Sequence, residues 1–122
     1  MKIAIIGKGN VGKALGDGLK RAGHEIRYGH RDPKEPIREA AERADLIILA
    51  VPYHATTDAA MEIGSAADRK VLIDVTNALD PYGKLAVGFT TSAAEELQKL
   101  LPKSRVVKAF NTVFSQNQAL EE

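Results

Sequence analysis

The stretch that decides the fold lies at the start of the chain, where the run Lys2-Ile3-Ala4-Ile5-Ile6 is followed at once by Gly7-Lys8-Gly9-Asn10-Val11-Gly12. A helical pattern then begins, with apolar residues recurring at the spacing of one helix face. A short strand, a glycine loop and a helix in this order turn the bare G-x-G-x-x-G spacing into the pattern of a dinucleotide-binding turn. We therefore predict a nucleotide site here. The alternative is a tight glycine turn that binds nothing.

The three glycines of this loop have separate expected roles. Gly7 lets the chain turn off the strand, Gly9 lets a pyrophosphate approach the backbone, and Gly12 lets the helix pack close to the strand. The free N–H groups at the helix start then face the phosphate charge. Lys8 either points to solvent or lies along the pyrophosphate, and we favour solvent.

Composition excludes several classes of function. A chain of 122 residues with 44% hydrophobic residues is expected to form one domain, residues 1–122, with a real core. A net charge of +1 and the lack of a basic run argue against nucleic-acid and membrane-surface partners. The absence of cysteine excludes disulfides and thiol catalysis and fits a reducing compartment. The apolar start is too short for a signal peptide or membrane span, so we expect a cytoplasmic protein.

Strand and helix patterns alternate along the chain. We predict an α/β fold with a doubly wound parallel sheet of the Rossmann type, five or six strands in the order 3-2-1-4-5. Its predicted strands are Lys2–Ile6, His24–Tyr28, Asp45–Val51, Lys70–Val75 and Arg105–Phe110. Its predicted helices are Asn10–Ala22, Pro36–Arg43, Thr57–Ile63 and a fourth from Ser92 to Leu101.

The end of the second strand bears on the choice of cofactor. NAD-binding domains usually place a carboxylate there to accept hydrogen bonds from the ribose 2′-OH, whereas this chain has Gly29-His30-Arg31. Without a carboxylate to repel it, a 2′-phosphate could be gripped bidentately by Arg31, with a further hydrogen bond from His30. We therefore predict NADP(H) rather than NAD(H). In the alternative, Arg31 is a solvated loop charge and Asp32 takes the ribose.

Three further segments are expected at the same edge of the sheet, because the carboxyl ends of parallel strands share it. Val51-Pro52-Tyr53-His54 either approaches the cofactor or ends its strand with surface aromatics. Thr76-Asn77 and Asn111-Thr112 could orient a nicotinamide or simply form turns. The histidines lack metal-ligand spacing, so no metal site is predicted. No serine lies in a nucleophile elbow, so no serine nucleophile is predicted either.

Several segments of the chain together resemble NADPH-dependent reductases of the coenzyme F420 type. They are the start of the chain, Gly29-His30-Arg31, Val51-Pro52-Tyr53, Asp74-Val75-Thr76-Asn77 and Val107-Lys108-Ala109-Phe110-Asn111-Thr112. The same domain is similar to the cytosolic part of membrane ferric reductases. The resemblance covers about residues 1 to 114.

The resemblance implies a site in which two redox cofactors meet. NADPH would have Lys8, Gly9, Asn10 and Val11 at its phosphates and His30 and Arg31 at its 2′-phosphate. The ribose and nicotinamide would be lined by three residues, Val51, Thr76 and Ala109. A deazaflavin such as coenzyme F420, or a flavin, would stack on the nicotinamide and exchange hydride. Such transfer depends on orientation and dryness more than on an acid–base group, so we name no catalytic residue.

This chain departs from the family's pattern at two residues. Members commonly carry Ser or Asn where it has His30, and often Pro where it has Ala78. The family also continues beyond the fifth strand into a part that completes the second-cofactor pocket and often the dimer interface, and we expect that substrate and dimerisation part to be absent here. We expect an NADP(H)-binding domain of an oxidoreductase, with a homodimer left open. The alternative is a non-catalytic NADP(H)-binding or regulatory module.

Overall fold

The structure is a computed structural model that describes residues 1–30, 32–75, 95 and 97–108. Its sheet has five parallel strands: Lys2–Ile6 (β1), Glu25–Gly29 (β2), Leu46–Leu49 (β3), Val71–Asp74 (β4) and Arg105–Lys108 (β5). Three helices lie between strands: Asn10–Arg21 (α1), Ile37–Glu42 (α2) and Thr56–Ile63 (α3). Short 3-10 turns occupy Tyr53–Ala55 and Gly64–Ala67. The predicted doubly wound parallel sheet is confirmed.

The predicted fourth helix is described only in part. Residues 95 and 97–100 are helical, whereas its predicted start at Ser92 lies outside the described residues. Within the ranges that the structure describes, none of the helices combines the length and apolarity needed to cross a bilayer.

The predicted strand order is wrong in one respect. The observed order is β2-β1-β3-β4-β5, so β3 lies between β1 and β4 instead of outside β2. The physical reason is burial, because β3 is the apolar run Leu46–Leu49 and its last three residues are buried. An interior strand covered on both faces suits that run. By contrast, β2 exposes Glu25 and Arg27, and charged side chains are typical of an edge strand.

Helices cover both faces of the sheet, and alternate residues of each inner strand supply the two cores. On one face, Ala4, Ile6, Ile47 and Leu49 pack in a cluster that includes buried residues of α2 and α3. On the other face, Ile3, Ile5 and Ile48 pack with Leu15 of α1 and with Tyr28 of β2. This period-two alternation is what a sheet buried on both sides requires.

Because β2 and β3 lie on opposite sides of β1, the strand order reverses between β1 and β3, which makes this position a topological switch point. Ligands of open α/β sheets bind beyond the carboxyl ends of the strands at such a switch point. The glycine loop follows β1 directly and therefore lies at this point.

Candidate functional site

The glycine loop joins the ends of three strands. Gly7 has a φ of 112°, which favours glycine, and its N–H donates to the Gly29 carbonyl at 2.8 Å. A Cβ at Gly7 would overlap the Ala50 carbonyl oxygen just after β3 and would lie 3.2 Å from Val51 Cγ1. The sharp turn predicted for Gly7 is confirmed, and the structure brings Val51 to the same point.

The start of α1 has the form that an anion requires. Gly9 is the N-cap, and the first helical hydrogen bond runs from the Lys13 N–H to the Gly9 carbonyl at 2.9 Å. The N–H groups of Asn10, Val11 and Gly12 precede that bond, so helix geometry gives them no acceptor within the helix. The first turn of this fully described helix carries no acidic side chain. The positive end of the helix dipole is therefore uncompensated within the turn itself.

The other two glycines have different surroundings. A Cβ at Gly12 would overlap the Gly7 carbonyl oxygen, so the close packing predicted for Gly12 is confirmed. A Cβ at Gly9 would meet none of the described residues within 4 Å. Space for a phosphate group is therefore open at Gly9, and the contact itself stays a prediction.

The Lys8 side chain reaches solvent, as we favoured, but it is also tied to another side chain, and its contact with a pyrophosphate stays a prediction. Its side chain is about one third exposed, but Nζ lies 2.9 Å from Glu35 Oε1 and 5.2 Å from the centroid of the Tyr28 ring. The hydrogen bond to the Glu35 carboxylate raises the pKa of Lys8. Lys8 is therefore held by the loop after β2.

That loop carries the feature that the sequence did not reveal. His30 Nε2 lies 2.7 Å from Glu35 Oε1, and the His30 N–H donates to the Glu35 carbonyl at 3.0 Å. Hydrogen bonds from Lys8 and then from His30 lower the pKa of the Glu35 carboxyl. Our expectation that no carboxylate stands at the end of β2 is therefore wrong: one is folded back onto His30.

Asp32 has a structural role in this arrangement. Its Oδ1 accepts from the Lys34 N–H at 2.9 Å, and its carbonyl accepts from the Glu35 N–H at 2.9 Å. These bonds make the turn that returns Glu35 to His30. Asp32-Pro33 is a pair typical of turns, but such a pair does not indicate how far the loop folds back.

A cleft of about 520 Å³ lies beside this loop, between α1 and β2. The mostly buried Tyr28 ring forms part of the cleft wall beside Lys8, and the Lys20 Nζ lies 5.6 Å from the centroid of this ring. Burial, and secondly the nearby Asp17, raise the pKa of the Tyr28 hydroxyl. The lining is mixed in charge: Lys8, Lys13, Asp17, Lys20, Glu25, Ile26, Arg27, Tyr28 and Glu35. Sequence reasoning named only Lys8 among these residues.

The remaining predicted site residues divide into two groups. Val51 is buried and Pro52 is exposed where the chain leaves β3, and His54 is exposed in the 3-10 turn that follows. Several others lie outside the described residues, namely Arg31, Thr76, Asn77, Ala109, Asn111 and Thr112. Among the side chains that the structure describes, no three His, Cys, Asp or Glu are placed to hold a metal ion.

A parallel sheet wound in this way, with a glycine turn and a bare helix start at its switch point, defines a Rossmann-type dinucleotide-binding domain. The sequence pattern of one family, NADP oxidoreductase coenzyme F420-dependent, matches residues 2–38 and 35–78, more than half of the chain. The chain belongs to this family. The expected cofactors, NADP(H) and coenzyme F420, agree with those in the family's description.

Individual relatives support this membership. The chain is 32% identical to an F420-dependent NADP reductase of Methanothermobacter marburgensis, over 93% of this chain and 64% of that protein. It is 28% identical to Metalloreductase STEAP3 of Rattus norvegicus, over 92% of this chain and 25% of that protein. A crystal structure assigned as an F420-dependent NADP reductase from Arthrobacter sp. FB24 superposes with a TM-score of 0.81 at 30% identity, covering 92% of this chain and 63% of that one. The chain thus spans less than two thirds of each of these relatives.

Proposed function

We propose that this chain binds NADP(H) at the glycine loop and presents the nicotinamide to a deazaflavin or flavin acceptor for hydride exchange. The observation that carries the proposal is the start of α1, where open space at Gly9 adjoins three N–H groups without helical acceptors. A pyrophosphate fits such a place because it brings negative charge and many acceptor oxygens. Family membership supports NADP as the dinucleotide.

In this proposal, the chain's own residues bind and orient the cofactor. The α1 N–H groups hold the pyrophosphate, while His30 and Arg31 hold the 2′-phosphate. Val51, Pro52, Thr76 and Ala109 line the sugar and nicotinamide. The nicotinamide itself supplies the hydride when bound, so the protein's contribution is positioning and the exclusion of water.

Calorimetric titration of the chain with NADP+ and NAD+ tests the first half of the proposal. We expect clearly tighter binding of NADP+, and equal affinity or no binding would contradict the proposal. Replacing Arg31 with Glu should weaken NADP+ about ten- to a hundredfold, because hydrogen bonds to charged groups contribute about 1.5–3 kcal/mol. Binding of NAD+ should change little.

The matched control for this charge reversal is Lys103→Glu. Lys103 is exposed and precedes β5, so it lies at the amino end of the sheet, away from the proposed site. It carries the same change in charge, and its NADP+ affinity should stay close to that of the unmodified chain. A comparable loss in both variants would mean that net charge, rather than a contact at position 31, governs binding.

The acceptor is tested by mixing the chain with NADPH and either coenzyme F420, a flavin or a ferric chelate, and following absorbance at the nicotinamide band. Oxidation above background with one acceptor identifies its class. NADPH binding without oxidation by any of them favours the non-catalytic module. A homodimer, proposed on the family's usual assembly, is tested by light scattering.

A further inference from the structure

The loop after β2 holds an anion of its own at the place where the proposed 2′-phosphate would bind. One oxygen of Glu35, Oε1, lies 2.9 Å from Lys8 Nζ and 2.7 Å from His30 Nε2. Lys8 and His30 come from loops that follow different strands, β1 and β2. A single carboxylate oxygen therefore bridges two nitrogen groups in the way that a phosphate oxygen would.

The backbone fixes Glu35 in this position. The Glu35 carbonyl accepts from the His30 N–H at 3.0 Å, and the Glu35 N–H donates to the Asp32 carbonyl at 2.9 Å. These backbone hydrogen bonds place Glu35 beside His30, so the position of its carboxylate depends on the conformation of the loop. Its side chain remains about one third exposed, so a ligand can reach it.

We propose that Glu35 is a specificity-determining residue whose carboxylate takes the place of the 2′-phosphate in the free protein and limits the preference for NADP(H) over NAD(H). The inference rests on the proposed function, because it takes the end of β2 as the 2′-phosphate position. Binding of NADP(H) then requires Lys8 and His30 to exchange one anion for another.

The carboxylate has opposite effects on the two cofactors. It repels a 2′-phosphate and competes with it for the same donors, whereas it can accept a hydrogen bond from the 2′-OH of NAD(H). Replacing Glu35 with Gln removes the charge and keeps the shape. Exposed ion pairs are weak, so loosening both contacts to Lys8 and His30 and removing the charge that repels the phosphate should tighten NADP+ about two- to thirtyfold. Binding of NAD+ should weaken or stay unchanged.

The experiment compares calorimetric affinities of the full chain for NADP+ and NAD+ in three forms: unmodified, Glu35→Gln and Glu39→Gln. Glu39 is the matched control because it is also a glutamate in a partly exposed ion pair, here between its position on α2 and Arg43 just after the helix, at 3.5 Å. The expected result is a rise in the ratio of NADP+ to NAD+ affinity in Glu35→Gln alone. Far-ultraviolet circular dichroism confirms that both variants are folded.

Four other outcomes separate this inference from the proposed function. If all forms bind NADP+ equally, the inference is overturned and the proposed function stands. If only Glu35→Gln binds NADP+, the inference holds and the natural chain is not an NADP(H) protein under those conditions. If Glu35→Gln binds NADP+ more weakly than the unmodified chain, Glu35 does not compete with the phosphate and only the inference is overturned. If no form binds NADP+, the proposed function is overturned, and the inference that rests on it falls with it.

Discussion

Gly7 and Gly9 lie two residues apart, and the structure predicts that substituting them will have opposite consequences. Gly7→Ala should damage the fold, whereas Gly9→Ala should leave the fold intact and remove cofactor binding. The pair therefore separates the structural part of the glycine loop from its proposed function.

The magnitude for Gly7 follows from its surroundings. A Cβ there would lie 2.8 Å from the Ala50 carbonyl carbon, and a backbone atom cannot swing away as a flexible side chain could. Overpacking of this kind costs about 1–3 kcal/mol, and a strained backbone conformation at φ 112° costs about 1–3 kcal/mol more. The sum of about 2–6 kcal/mol is a large part of the 5–15 kcal/mol that is typical of a domain.

Gly9 has none of these constraints. Its φ of −83° suits any residue, and its Cβ would meet none of the described atoms within 4 Å. The change from Gly to Ala at a helix N-cap costs less than about 1.5 kcal/mol. The added methyl group would nevertheless occupy the open space where we place the pyrophosphate.

Urea unfolding followed by circular dichroism measures the first effect, and calorimetric titration with NADP+ measures the second. With a slope of about 2 kcal/mol per molar urea, Gly7→Ala should lower the midpoint by about 1–3 M. Gly9→Ala should lower the midpoint by less than about 0.75 M and bind NADP+ at least tenfold more weakly. A stable Gly7→Ala chain would refute the steric reasoning, and unimpaired binding by Gly9→Ala would refute the close approach of the phosphates.

Two further predictions concern charged contacts. Replacing Lys8 with Met should raise the pKa of the Glu35 carboxyl, because the Lys8 hydrogen bond is the main cause that holds this pKa below its ordinary 4.5. Carbon NMR of the Glu35 carboxyl across a pH range measures the change in pKa. Because folding lowers this pKa, the associated stability is present above pH 4.5 and lost as pH falls through the folded value, so the Met variant should lose less stability in acid. Replacing Lys70, whose Nζ donates to two carbonyls at the end of α2 at 2.7 and 3.1 Å, with Met should cost about 1–2 kcal/mol in denaturant unfolding. The exposed Lys103→Met serves as control, and equal stability of the two variants would contradict a capping role for Lys70.

The sequence predicted the parts of the fold that depend on neighbouring residues. Strand, glycine turn and helix follow one another within the first dozen residues, and the steric demands on Gly7 and Gly12 are met inside that short stretch. The order of the strands depends on burial across the whole sheet. The information was nevertheless present: Leu46–Leu49 is apolar throughout, whereas β2 alternates charged and apolar residues. The strand order 3-2-1-4-5 was predicted from the glycine loop and the crossover handedness, and not from this difference in polarity between the two strands.

The sequence predicted those residues of the candidate site whose place follows directly from the strand or turn that precedes them. His30 follows β2 directly, as expected, but the atom that faces it belongs to Glu35, which a turn made by Asp32 brings back to His30. The return of a loop depends on a few backbone hydrogen bonds that composition does not encode. Similarly, Lys8 contacts Glu35, a residue 27 positions away, which local pattern cannot reveal. The roles of Arg31, Thr76 and Ala109 stay predictions.

In the described sheet β2 pairs with β1 alone, so the loop that carries His30 and Glu35 follows an edge strand, whereas the glycine loop follows an interior strand. Edge elements with few neighbours open locally at a lower free energy than interior strands do, and amide hydrogen exchange records the difference. Brief separation of β2 would release His30 and its partners while β1, β3 and β4 stay assembled. Cofactor preference would therefore be set beside an edge strand, so substitutions at His30 or Glu35 could change it while the interior strands keep their pairing.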